Sequence, residues 1–225
     1  VPELNLAVSA GKLLLRAGAT YDDTNRDTSA LSPLVSAALT RPDGTRLYAE
    51  YSESTQVPTY TALNSNPAAG LFRGNPGLGR ETSRNLEVGV SGKADGWSVE
   101  SAVVYRWDDE LADWTFARGV TARTANPVDI GTFGCELVAA RRTPRYDLIL
   151  GYTWLDKSAD YGSATVDASF YALNFARHRL TAAVVLRLGA GFEVRLDNEY
   201  RVQEKNLLRT VGGDAAFLSA GGIYY

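Results

Sequence analysis

Two groups of residues have the composition for chemistry, and neither has a complete catalytic set. His178 is the only histidine of the 225-residue chain and sits between Arg177 and Arg179. A serine hydrolase site would need that imidazole beside a serine and an acidic or amide partner, and no motif marks such a nucleophile. A hydrogen bond at a strand end is the ordinary role, so the chain is expected not to be an enzyme. The second group is Asp108, Asp109, Glu110 and Asp113, set among Trp107, Trp114, Phe116 and Arg118. Such carboxylates can hold a divalent cation through oxygen ligands, or can be solvated charge on an exposed loop. The second reading is the plainer one, and no metal or cofactor is assigned.

Capture of a small molecule is better supported by residue type. Tyr60, Phe72, Arg73 and Arg80, with Trp114 and Arg118 further along, combine ring surface with positive charge. That combination suits an anionic or ring-bearing ligand. Cys135 is the only cysteine, which rules out an internal disulfide or a cysteine-built metal cage. It shares a strand face with Phe133, Leu137 and Ala139 and reads as a small apolar wall residue. The net charge of −3 and the scattered Lys and Arg leave no basic stripe for nucleic acid.

The elements that must position these residues are strands with two unlike faces. From Phe192 to Val202 one side carries Phe192, Val194, Leu196, Tyr200 and Val202, and the other Glu193, Arg195, Asp197, Glu199 and Arg201. Successive strand side chains point to opposite sides, so this ribbon separates an apolar medium from a polar one. Trp97, Val99, Val103, Tyr105 and Trp107 repeat the pattern opposite Ser98, Glu100 and Arg106. Ten steps of ~3.3 Å, tilted about 40–45°, project to roughly 25 Å, the apolar height of an outer-membrane barrel between its aromatic girdles. A soluble β-sandwich also alternates, but its strands are shorter and their apolar faces do not end in Tyr, Trp or Phe. No stretch approaches the ~20 apolar residues of a membrane helix, and the mean hydropathy of −0.17 is compatible with a barrel, in which only alternate residues meet lipid.

Turn signals divide the chain into about ten strands, near 4–9, 12–22, 33–41, 46–54, 83–91, 97–107, 132–141, 145–155, 178–188 and 192–203, with an eleventh near Phe217. Tight turns at Gly11-Lys12, 42–44, 93–96, 142–144 and 189–191 alternate with longer segments, the largest being 55–82, 108–131 and 156–177. Short turns at one rim and long loops at the other is the asymmetry of bacterial outer-membrane barrels. The polar wall charges Glu100, Arg106, Glu193, Arg195, Asp197, Glu199 and Arg201 are expected to pair with one another. One partial barrel domain is expected over 1–225. Val1 to Leu4 lack the basic start and apolar core of a signal peptide, and a chain without methionine is expected to begin at a processed end or inside a longer protein.

The long loop after the fourth strand carries the most specific text. It reads Tyr51-Ser52-Glu53-Ser54 through Pro58, Tyr60 and Leu63, then Gly74-Asn75-Pro76-Gly77-Leu78-Gly79-Arg80-Glu81-Thr82-Ser83, with Glu87 and Gly89 following. Tyr105-Arg106 through Leu111, Gly134 with Glu136, Gly151 to Asp156 and Arg177 to Leu180 come next in order. This text resembles the barrel of TonB-dependent receptors over residues 47–201. Gly79-Arg80 stands where that family has a Lys-Pro pair, which would leave Arg80 freer than a proline turn allows, and Thr55 stands where an aromatic is usual. The resemblance implies an antiparallel transmembrane β-barrel of about 22 strands, roughly half of them here, surrounding a plug that this chain lacks. It further implies a metal chelate, siderophore-like, or a cobalamin-like ligand, with outer-membrane lipid and an inner-membrane energy-coupling complex as partners. A passive pore or adhesive barrel is the alternative. The Gly-Asn-Pro phrase itself is read as ordering the loop, with Glu81 and Glu87 as structural partners of nearby Arg.

Overall fold

Alternation of this kind, repeated over most of the chain, satisfies its backbone by pairing each strand with the next. The computed structural model describes residues 3–189, 191–207 and 214–224. It consists of strands β1 (Glu3–Val8), β2 (Gly11–Asp22), β3 (Ala30–Thr40), β4 (Arg46–Gln56), β5 (Phe72–Arg73), β6 (Glu81–Ala94), β7 (Trp97–Phe116), β8 (Arg123–Arg142), β9 (Tyr146–Asp160), β10 (Ala168–Ser169), β11 (Ala176–Gly189), β12 (Phe192–Gln203) and β13 (Asp214–Tyr224), with one short helix, α1 (Tyr60–Asn64). They form a 13-stranded sheet in the order β1-β2-β3-β4-β6-β7-β8-β9-β11-β12-β13, while β5 pairs with β8 and β10 with β7. Each neighbour on the main path is antiparallel and adjacent in sequence, apart from the two-residue additions.

The register puts like faces together. Val103 lies opposite Val88 on β6 and Cys135 on β8, and Cys135 opposite Trp154 on β9. Leu180 lies between Tyr152 and Tyr200. One face is thus apolar from β1 to β13, and it is bare: Val35, Leu86, Val88, Val103, Tyr105, Leu137 and Leu180 are all exposed. Bulky side chains left uncovered along a whole face have the pattern of a lipid-solvated wall rather than a sheet stacked on a core. Rings crowd toward the loop end, where Tyr105 and Tyr51 meet Trp107 and Phe133 meets Trp154 edge-on. The single histidine joins this belt, its Nδ1 at 2.9 Å from the Tyr152 hydroxyl, which is the strand-end hydrogen bond expected of it.

The opposite face is polar and internally paired. Arg187 bridges Asp147 and Glu193 across three strands, Arg179 and Arg201 both reach Glu199, and Arg195 holds Asp197. Gly89 lies on this face opposite Tyr48, and a Cβ there would fall within the Tyr48 ring. The bare glycine makes room for that ring, whose hydroxyl donates to Glu87 at 2.8 Å.

At one end the connections are tight. Asp95 and Gly96, with φ of 51° and 80°, close β6 onto β7 in a two-residue turn, shorter than the 93–96 turn expected. Asp43 accepts from the Thr45 amide at 2.9 Å, and this bond holds its carboxyl below the ordinary carboxylate range. Ala190 of the 189–191 turn lies outside the described residues.

The largest departure from expectation is at the other end. Turn signals predict a loop over 108–131, yet β7 continues to Phe116 and β8 begins at Arg123, leaving only 117–122 as the connection. A bulge between Asp108 and Leu111, with Glu110 at φ 57°, interrupts the register and lets the hairpin carry on. Its extension is covered on both sides. Ala112, Trp114 and Ala125 pack with Ala62, Leu63, Leu78 and Val57 of the 57–80 loop. Leu111, Val128 and Ile130 pack with Tyr161, Ala172 and Leu173 of the 161–175 loop.

Candidate functional site

The extended hairpin and its two covering loops form a cap, and the polar face below the cap borders a cavity of about 740 Å³. Asn85, Arg106, Thr132, Glu136 and Lys157 line its strand wall, and Trp114, Phe170 and Tyr171 its cap side.

The Gly-Asn-Pro phrase folds the first covering loop. Thr59 caps α1 by accepting from the Ala62 amide, and Asn75 donates its amide to the Ala62 carbonyl at 2.7 Å. The Asn75 side chain accepts from the Gly77 amide at 2.9 Å, which turns the chain so that Leu78 enters the small core. Glu81 is buried and accepts from Gln56, and Glu87 accepts from Tyr48. Both are structural, as expected, but their partners are an amide and a phenol rather than Arg.

The acidic group lies on β7 rather than on a loop, and two of its four carboxylates are buried. Asp108 is 4 % exposed and is held by Arg106 and Ser83, while Asp109 pairs with Arg84, which also reaches Glu53. Asp113 is fully buried and accepts from three main-chain amides and the Tyr161 hydroxyl. Burial, reinforced by the Asp113 charge, pushes the Tyr161 hydroxyl well above the ordinary phenol value. Among the described residues no group of three or more His, Cys, Asp or Glu is arranged to hold a metal ion. Asp108, Asp109 and Asp113 have been taken by protein donors and Glu110 stands exposed apart from them, so the divalent-cation reading finds no support here.

The six proposed capture residues separate into three environments. Phe72 and Trp114 come together, ring centroids 5.2 Å apart and edge to face, with Phe170 on the other side of Phe72 at 6.3 Å. Arg73 follows Phe72 on β5 and is half-buried, its Nε without a hydrogen-bond partner among the described residues. Tyr60 on α1 is 81 % exposed, and Arg118 is exposed at the hairpin tip, its amide donating to Asp167 at 2.5 Å. Arg80 is neither free nor presented. Its guanidinium donates to Asp22 at 2.5 Å, to Thr55 and Thr24 at 3.3 Å each and to the Thr28 carbonyl at 2.9 Å. In place of a proline it clamps the 23–29 loop against β4 and β6.

Sequence reasoning missed Phe170, Tyr171 and Lys157, and saw Asp113 only as one acid of a group. Two adjacent rings were the available signal for the first two, but no basic residue beside them supplied the ring-and-charge combination that singled out Tyr60 and Phe72. Lys157 lies over the Phe175 ring at 5.1 Å.

The arrangement is therefore a wall with one lipid-facing and one polar face, capped at its long-loop end by a packed, ring-bearing assembly. Comparison with known proteins agrees. Chains of similar fold include the siderophore receptor PirA from Pseudomonas aeruginosa, with TM-score 0.69 and 17 % identity over 99 % of this chain and 38 % of that one. A point mutant of the ferric enterobactin receptor PfeA from Pseudomonas aeruginosa, in complex with enterobactin, gives TM-score 0.71 and 18 % identity over 99 % and 36 %. The FrpB iron transporter from Neisseria meningitidis gives TM-score 0.60 and 18 % identity over 88 % and 32 %. The chain thus spans well under half the length of each of these structures. No curated protein matches it. The family described as TonB dependent receptor-like, beta-barrel matches residues 3–225, which places this partial, unclosed barrel in the outer membrane of Gram-negative bacteria. The chain belongs to the TonB-dependent receptor β-barrel family.

Proposed function

We propose that residues 1–225 are part of the barrel of an energy-coupled outer-membrane receptor that takes up a small metal chelate, siderophore-like, or a cobalamin-like ligand. The observation that carries this reading is the cavity of about 740 Å³ between the polar wall and the cap, large enough for a chelate and bordered by both rings and charge. The structural neighbours PirA, a siderophore receptor, and PfeA in complex with enterobactin support the chelate class. In this reading Tyr60 and Arg118 make first contact from their exposed positions, Phe72 and Trp114 offer ring surface, and Arg73 supplies charge. Arg80 acts behind them by fixing the loop. A plug outside this chain and an inner-membrane complex would supply the energy step, and cobalamin stays the second ligand class.

The competing reading is a passive pore or adhesive barrel. Full-length protein purified from outer membranes, titrated with ferric enterobactin and separately with cyanocobalamin, separates them by tryptophan fluorescence. Saturable quenching by one of the two, with Kd of about micromolar or tighter, is expected. No saturable binding together with steady solute flux through liposomes would favour the passive pore.

A further inference from the structure

We propose that Asp113 is the positioning residue that fixes the 161–175 loop over the cavity, so that Phe170 and Tyr171 present their rings from an immobile main chain. What those rings meet rests on the capture reading above; the latch itself does not.

Asp113 lies on the β7 extension and is 0 % exposed. Its Oδ1 accepts from the amides of Phe170 and Tyr171 at 3.1 and 3.0 Å. Its Oδ2 accepts from the Ala172 amide and the Tyr161 hydroxyl, both at 3.0 Å. Three consecutive main-chain N–H groups aimed at one point make a cradle for an anion, and here the chain fills it with its own carboxylate. Ala172 turns its methyl into the core beside Val128 and Ile130. The rest of the loop is tied separately: β10 pairs with Thr115 and Phe116, and the Leu173 amide donates to the Ser169 hydroxyl.

The side chains next to this fixed crest are not put away. Phe170 is 44 % and Tyr171 53 % exposed, and both border the cavity. Phe170 meets Phe72, yet both rings keep about half of their surface open on a main chain held by a buried charge. They make a recognition surface, because a ligand meeting them orders little that is not already ordered. Phe72 and Trp114 continue the same surface, and the Phe170 amide also reaches the Trp114 carbonyl at 3.2 Å. Only a carboxylate serves all four donors. An asparagine of the same shape has one acceptor oxygen and turns an NH₂ group toward N–H donors.

The test uses full-length protein in detergent, carrying Asp113→Asn, with Asp113→Glu as the variant that keeps the charge. Three readouts are taken: amide hydrogen exchange, iodide quenching of Trp114 with the other three tryptophans changed to Phe, and affinity for the iron(III) tris-catecholate complex. Asp113→Asn is expected to speed exchange at 170–172 by about tenfold or more while β8 keeps its protection. Iodide should reach Trp114 more readily, probe affinity should fall about tenfold, and Asp113→Glu should recover part of each. Unchanged exchange at 170–172 overturns the proposal. Faster exchange with unchanged Trp114 quenching and unchanged probe affinity also overturns it, leaving Asp113 a fold residue only. A wild-type protein that ignores the probe, while exchange and quenching respond to Asp113→Asn, leaves the latch supported and counts against the chelate reading instead.

Discussion

The wall and the cap of this protein obey opposite rules for where apolar side chains go. Along the strands Val35, Leu86, Val88, Val103 and Leu137 are exposed across one whole face. Among the described residues, the buried apolar side chains lie in or against the cap, Ala38 excepted: Ala62, Leu63, Leu78, Ala122, Ala125, Val128, Ile130, Ala168, Ala172 and Phe175. The cap is built like a small water-soluble protein, with two cores and a buried hydrogen-bonded carboxylate. The wall is built for hydrocarbon on one side and water on the other. One chain changes its solvent at the girdle of Tyr51, Tyr105 and Trp107.

The sharpest way to break this contrast uses two neighbours on opposite faces. Val103→Arg puts a charge near the middle of the lipid-facing band and should destabilise the inserted protein by about 2–4 kcal/mol, whereas Ala102→Arg, on the polar face opposite Glu136, should cost less than about 1 kcal/mol. Denaturant titration in lipid vesicles reads both. Equal costs would mean that the two faces share one solvent.

In the cap the same chemistry should act locally. Leu78→Ala removes a buried side chain from the core under the 57–80 loop and should cost about 2–3 kcal/mol. Limited proteolysis should find the loss as cleavage within 57–80, with the strands' protection unchanged. If whole-protein melting falls instead, cap and wall are one cooperative unit.

Gly89→Ala sharpens the contrast within the wall, since the new methyl would meet the Tyr48 ring on the polar face. A cost of about 1–2 kcal/mol is expected, and adding Tyr48→Ala should cost less than the two changes summed. Strictly additive costs would show that the ring and the glycine do not meet.

The smallest effect belongs to the 41–45 turn. Hydrogen bonding from Thr45 depresses the Asp43 carboxyl, so its contribution is present above the ordinary Asp value and is lost as pH falls through the depressed one. Exchange protection at Thr45 should weaken below about pH 4, the ordinary Asp range. Asp43→Asn should abolish that pH dependence, and its survival would assign the effect elsewhere.

What was legible in the sequence follows the same divide. Phe192 to Val202 and Trp97 to Trp107 announce their strands because each has one medium per face, and the structure keeps both. Leu111 to Phe116 and Arg123 to Ile130 continue the β7–β8 hairpin without that signal, because the cap packs on both of their faces and alternation has nothing to report. The acidic run Asp108-Asp109-Glu110, where the bulge falls, added a break that reads as a loop. Within the site, ring-and-charge composition located Phe72 and Trp114 and their neighbourhood. It could not separate Arg80, a clamp, from an exposed arginine, since its four acceptors come from segments distant in sequence. Asp113 was visible only as one acid among several, because its partners, the amides of 170–172, are carried by every residue alike.

The two-solvent wall is tested most directly at the only cysteine and its neighbour. In protein reconstituted into liposomes, Cys135 should resist a membrane-impermeant maleimide and, once labelled with a fluorophore, be quenched by nitroxide lipids. A cysteine moved one residue on, by Glu136→Cys with Cys135→Ala, should react with the maleimide and escape the lipid quencher. Equal reactivity at the two positions, or the reverse order, would contradict a wall with lipid on one face and water on the other.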